Sequence, residues 1–163
     1  MSTNTHTSNA NPQQDENADG DLTDLLSELR VLLPGTQTLT AFLVILPFNG
    51  GFAEIRNEEK WVFVVTFLCS ILALVLFTAP AAQHRLQRPL RDRESFKAVA
   101  TRFMIAGLVP LSVALVLVAQ LVLSEVVANR WVSWSVAGVL ALIILTLWWI
   151  YPLRGRSVAN TTG

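Results

Sequence analysis

The sequence predicts an all-α integral membrane protein: a bundle of four transmembrane helices preceded by an amphipathic interfacial helix. Three observations carry this. Of 163 residues, 52% are hydrophobic and only 15% charged, against about 25% charged in an ordinary soluble domain. The apolar residues gather in long blocks without charge. The basic residues gather at one end of those blocks, and the tryptophans mark both ends. The same composition speaks against disorder and against nucleic-acid binding, since 12 Lys+Arg balance 12 Asp+Glu and leave no basic excess for a phosphate backbone. Cys69 is the single cysteine, so no disulfide framework can form within the chain.

Taken in order, residues 1–20 are Ser, Thr, Asn, Gln and acids with no basic start and no hydrophobic run. They read as a disordered cytoplasmic tail, not a signal peptide. From residue 21, Leu22, Leu25, Leu26, Leu29, Leu32 and Leu33 keep helical spacing, with Asp24, Ser27 and Glu28 on the other side. Asp21 is a suitable N-cap and Pro34 follows the last turn. This predicts an amphipathic helix lying along the inner membrane surface and turning inward at Pro34-Gly35.

The first span, residues 34–52, is the most polar. It contains Gln37, Thr36, Thr38, Thr40 and Pro47 but no charge until Glu54. Polar positions in such a helix can face neighbouring helices. The next three spans are plainer. The windows 61–80, 104–123 and 131–150 each hold sixteen hydrophobic residues of twenty and no charge. A helix crossing a ~30 Å hydrocarbon core needs about 20 such residues. The predicted spans are 34–52, 61–80, 104–124 and 131–151, within a membrane domain of residues 21–153, and a cytoplasmic tail follows at 154–163. Phe96, Val99 and Phe103 share a helical face ahead of the third span, so that helix is expected to begin outside the membrane. Pro110 predicts a kink inside it.

Orientation follows from the basic residues. With both termini inside, Arg30, Arg85, Arg88, Arg91, Arg93, Lys97, Arg102, Arg154 and Arg156 are cytoplasmic, and only Arg56, Lys60 and Arg130 are outside. Basic residues resist translocation, so this arrangement is expected, in a bacterial inner membrane. Trp61, Trp131 and Trp134 then mark the outer interface; Trp148, Trp149 and Tyr151 mark the inner one. The zero net charge conceals an asymmetry. Residues 1–30 hold six acids against Arg30, and residues 81–103 hold six basic residues against Asp92 and Glu94. Two readings follow: Glu28 facing an arginine of the basic loop, or Arg85–Arg102 meeting anionic lipid headgroups.

Glu28-Leu29-Arg30-Val31, Pro34-Gly35, Gln37, Pro47-Phe48, Phe52, Thr78-Ala79-Pro80, His84-Arg85 and Arg102 together resemble an uncharacterised bacterial family of four-span membrane proteins, a domain of unknown function. The likeness covers roughly residues 24–153. Some members of that family carry a sodium:proton antiporter label. The resemblance implies the topology and no site residues.

Candidate functional residues are therefore taken from chemistry. Glu28, Arg30, Gln37, His84, Arg85 and Arg102 are polar groups near the hydrocarbon edge, where polarity is costly unless used or paired. No catalytic set, metal-ligand spacing or cofactor motif is present, so neither an enzyme nor a cofactor is expected. The expected function is that of a non-enzymatic accessory protein that binds lipid or a partner, either another membrane protein or a second copy. Small-residue rows at Ser133, Ala137 and Ala141, and at Ala106, Gly107 and Ala114, allow close helix contact within the chain or between copies. The alternative is a small cation/proton transporter. It would need an ionisable group near the bilayer centre, and the four apolar windows contain none; a break at Pro34-Gly35 could instead free carbonyls near Gln37.

Overall fold

A computed structural model describes residues 12–86, 93–127 and 129–151. It is built from α1 (Pro12–Ile45), α2 (Asn57–Leu86), α3 (Arg93–Val126) and α4 (Arg130–Ile144), and α4 runs on as a π-helical turn, Leu145–Ile150. Two 3-10 turns, Leu46–Phe48 and Gly50–Glu54, join α1 to α2. Four stretches are long and apolar enough to cross a membrane: Ser27–Phe48, Asn57–Gln83, Ala98–Val126 and Arg130–Ile150. The fold is that of a multi-pass membrane protein. At ~1.5 Å per residue α1 and α3 reach about 51 Å, well beyond a ~30 Å hydrocarbon core.

Successive helices are antiparallel neighbours. α2 and α3 form the broadest interface, α1 packs on α2 and reaches α3, and α4 packs on α3. This gives the bundle two distinct ends. The end carrying both the α1–α2 and α3–α4 connections is here termed the hairpin end; the opposite end, with the α2–α3 connection and residue 151, is the terminal end. Trp61, Trp131 and Trp134 lie at the hairpin end, and Trp148, Trp149 and Tyr151 at the terminal end.

Each end has its own core. Toward the terminal end Leu29, Ala73, Phe77, Ala100, Met104 and Leu111 are buried together. Toward the hairpin end Leu43, Phe63 and Leu121 are buried, with Phe52 folded back from the connecting turn. The Phe52 and Phe63 rings meet edge to face at 5.0 Å, and Phe63 stacks on Phe67 at 6.1 Å. The tightest point is between α2 and α3. Phe77 is fully buried against Gly107, where an added Cβ would stand 2.6 Å from its ring. In lipid, helices gain little from hydrophobicity toward one another, so close packing such as this approach of a ring to bare backbone contributes to holding the pair.

Two expectations are corrected. The interfacial helix and the first span are one continuous helix, with no turn at Pro34-Gly35. A proline removes a single backbone donor, and packing can hold a helix through it. Here Leu29 is buried in the terminal-end core, and Leu32 and Leu33 pack against it. Leu29, Leu32 and Leu33 thus meet the core shared with α2 and α3, not the membrane surface. Beyond the proline, Thr36, Thr38 and Thr40 donate their hydroxyls to the carbonyls of Leu32, Pro34 and Thr36 at 2.8–2.9 Å, so the Thr hydroxyls occupy carbonyls that a break would have left open to a cation. The second correction concerns the tail: α1 begins at Pro12, inside the stretch expected to be disordered. Proline suits the first helical position because its φ is preset, and no second proline occurs before Pro34. Residues 1–11, 87–92, 128 and 152–163 lie outside the described residues, and with them Arg88, Arg91 and the expected C-terminal tail.

α3 begins at Arg93, ahead of its apolar run as its spacing predicts, and it continues through Pro110 without interruption. α2 likewise continues through Pro80.

Candidate functional site

The residues singled out by sequence are spread over the surface. Glu28, Arg30 and Gln37 on α1, Arg85 on α2 and Arg102 on α3 are all exposed. His84 lies in α2, and its side chain is outside the described residues. Glu28, Arg30, Arg85 and Arg102 share the terminal end, since Leu29 and Ala100 belong to one core. Among the described residues none of the four forms an ion pair with another. Gln37 stands apart, facing outward from the middle of α1.

Accounting for the buried polar side chains points elsewhere. Thr36, Thr66, Ser70, Gln120 and Ser133 are each at most 4% exposed. A buried polar group without a partner is costly, more so in a dry interior. The hydroxyls are satisfied. Thr66 donates to the Val62 carbonyl at 2.7 Å, and Thr40 and Ser70 share a hydrogen bond of 3.0 Å between α1 and α2. Ser133 on α4 donates to the backbone carbonyl of Gln120 on α3 at 3.1 Å. Gln120 is the exception: its Oε1 has no hydrogen-bond partner.

Gln120 borders a cavity of about 260 Å³ at the hairpin end. Arg56 just before α2, Glu58 and Glu59 in its first turn, Ser124 on α3, and Arg130 and Trp134 on α4 complete its polar lining. Arg130 Nη2 donates to Glu58 Oε2 at 3.2 Å, and Arg56 Nη2 lies 3.9 Å from the same oxygen. These three side chains are more than half exposed, so they form the mouth and Gln120 the floor. Local structure sets the mouth. Asn129 caps α4 by accepting from the Trp131 N–H at 3.0 Å, which starts the helix with Arg130 opposite α2. The torsion at the end of a glutamine side chain is soft, so rotation can present either the carbonyl or the NH2 of Gln120 to the cavity.

A second cavity of about 260 Å³ lies along the same α3–α4 seam, closer to the terminal end. Val113, Val116 and Leu117 on α3 and Ala141, Leu145 and Trp149 on α4 line it, with Ser112 nearly the only polar contribution. Ser112 itself donates to the Leu108 carbonyl at 2.7 Å. Residues 112, 116, 120 and 124 fall on one stripe of α3, so the polar and the apolar cavities open along one line. Their chemistry differs sharply: charges of both signs at the end of the bundle, hydrocarbon in its middle. Among the described residues no group of three His, Cys, Asp or Glu side chains is placed to hold a metal ion.

The four apolar helices define a helical multi-pass membrane protein, with a polar cavity between helices at one end of the bundle. The chain belongs to the family of unknown function DUF6328, whose model matches residues 11–152. No curated protein and no solved structure matches the chain. Sequence reading missed Gln120, although a signal was present: it is the one residue with a polar amide inside the otherwise apolar window 104–123. Arg56 and Arg130 served only to count charges outside the membrane. That they meet around Glu58 depends on α2 and α4 both packing against α3, so that the Arg130 side chain reaches the start of α2, which no local pattern encodes.

Proposed function

We propose that this is a non-enzymatic binding protein of the bacterial inner membrane, with both termini in the cytoplasm, that holds a lipid or small polar ligand at its extracytoplasmic end. The observation that carries the reading is the unpartnered Gln120 Oε1 beside a cavity lined by both signs of charge. A buried acceptor without a partner is costly, and a donor from a ligand in the cavity would satisfy it. Orientation rests on the excess of Lys and Arg at the terminal end, and Arg85 and Arg102, exposed there, are suited to anionic headgroups of the cytoplasmic leaflet. A membrane-protein partner or a second copy would need a surface other than the small-residue row of α4, because Ser133 and Ala137 are already buried against α3.

Cation/proton exchange is less well supported. The described carboxylates whose side chains are placed, Asp24, Glu28, Glu54, Glu58, Glu59 and Glu125, are exposed or half-buried. An exchanger needs one within the hydrocarbon, reachable from both sides.

The test is extraction in mild detergent followed by identification of what remains bound. Wild type is expected to retain a lipid or polar molecule near one per chain, and Gln120→Met to lose it. Equal retention by both proteins overturns the reading.

A further inference from the structure

We propose that the ligand is a phospholipid with a zwitterionic headgroup whose ammonium carries N–H bonds, the chemistry of phosphoethanolamine, with one acyl chain lying in the apolar cavity between α3 and α4. This rests on the binding reading above and specifies its ligand.

Charge comes first. The mouth supplies two guanidinium groups, Arg56 and Arg130, and two carboxylates, Glu58 and Glu59. A net anion or a net cation would leave one pair opposed, whereas a zwitterion matches both. Arg56 and Arg130 converge on a single oxygen of Glu58, and a guanidinium has five N–H donors. Most of that donor capacity is open to a phosphate, which arginine grips in its planar fork. An ammonium complements the rest of the lining. It offers three donors and no acceptor, which is what the orphaned Gln120 Oε1 lacks. Trp134, half exposed at the edge, adds an aromatic face suited to a cation.

Depth and continuity argue for a lipid over a free solute. The polar cavity lies at the level of Trp61, Trp131 and Trp134, the depth at which aromatic belts meet headgroups. From there the seam leads along one stripe of α3 to the apolar cavity at Val113, Val116 and Ala141. A headgroup in the first and a hydrocarbon chain in the second use both with a single molecule.

The test uses the full-length protein in native mass spectrometry with phosphatidylethanolamine, phosphatidylcholine and phosphatidylglycerol of equal chain length, and with soluble phosphoethanolamine. Phosphatidylethanolamine is expected to bind about ten- to a hundredfold more tightly than phosphatidylcholine, whose trimethylammonium has no N–H to give. Gln120→Met should erase that preference. Ala141→Phe, which fills the apolar cavity without touching the polar one, should weaken the lipid and leave soluble phosphoethanolamine unaffected; since the two substitutions lie in different parts of the seam, either one keeps the proposal testable if the other fails to fold. Preference for phosphatidylglycerol, equal binding of phosphatidylcholine, or a soluble headgroup binding as tightly as the lipid overturns this inference while leaving the binding reading intact. No lipid or headgroup retained above background by wild type overturns both.

Discussion

The α2–α3 and α3–α4 interfaces share a helix but are built on opposite principles. Between α2 and α3 there is no room: the Phe77 ring occupies the space a side chain at position 107 would need, and the buried residues around it are apolar. Between α3 and α4 the contact is held by Ser133 on the Gln120 carbonyl, and a cavity opens on either side of that point. One interface spends its sequence on closeness; the other leaves space and a polar group unsatisfied. A membrane bundle could be closed throughout by small residues, as α4's own Ser133 and Ala137 illustrate. The difference therefore separates the part of the molecule that makes the fold from the part available for binding.

The comparison breaks most readily at its tight side. Gly107→Ala should destabilise the protein by about 1–3 kcal/mol through overpacking against Phe77, measured as a shift of the unfolding midpoint in a denaturing detergent titration. Gly35→Ala should do nothing comparable from packing, because nothing lies within 4 Å of the added Cβ. On the open side the sign reverses. Gln120→Met removes a polar atom that has no partner, so the unliganded protein should be unchanged or more stable by up to about 1 kcal/mol. Loss of binding with no loss of stability is the pattern expected of a residue kept for function. The hydroxyl pair between α1 and α2 should matter less: a double-mutant cycle of Thr40→Val and Ser70→Ala should give a coupling near 0.6 kcal/mol. Smallest of all is the mouth. Glu58→Gln should alter stability by no more than a few tenths of a kcal/mol, because its pair with Arg130 is exposed, and raising the salt concentration should abolish even that difference.

What the sequence made legible follows from the physics of each feature. Spanning helices are a matter of length and composition, and the windows at 61–80, 104–123 and 131–150 announce themselves. The Pro34-Gly35 break was misjudged because a dipeptide reports local preference only. Whether a proline interrupts a helix depends on what its neighbours pack against, and Leu29, Leu32 and Leu33 pack against the α2–α3 core. The site was illegible for a related reason. Glu28, Arg30, Arg85 and Arg102 looked costly next to hydrocarbon, yet all four are exposed toward the terminal end, where long polar side chains can reach the interface; Gln37 is exposed from the middle of α1. Gln120 looked unremarkable because one amide in twenty residues is readily accommodated in a packed bundle. Its significance appears only once each buried hydroxyl has been matched to a carbonyl and this oxygen has not.

The most direct test of the central claim, that the α3–α4 seam is kept open for a ligand, is the unfolding midpoint of wild type and Gln120→Met with and without phosphatidylethanolamine. The account predicts that without lipid the variant unfolds no earlier than wild type, and that added lipid raises the wild-type midpoint alone, because a ligand stabilises only the state that binds it. A variant that unfolds earlier without lipid, and gains as much as wild type when lipid is added, would contradict it.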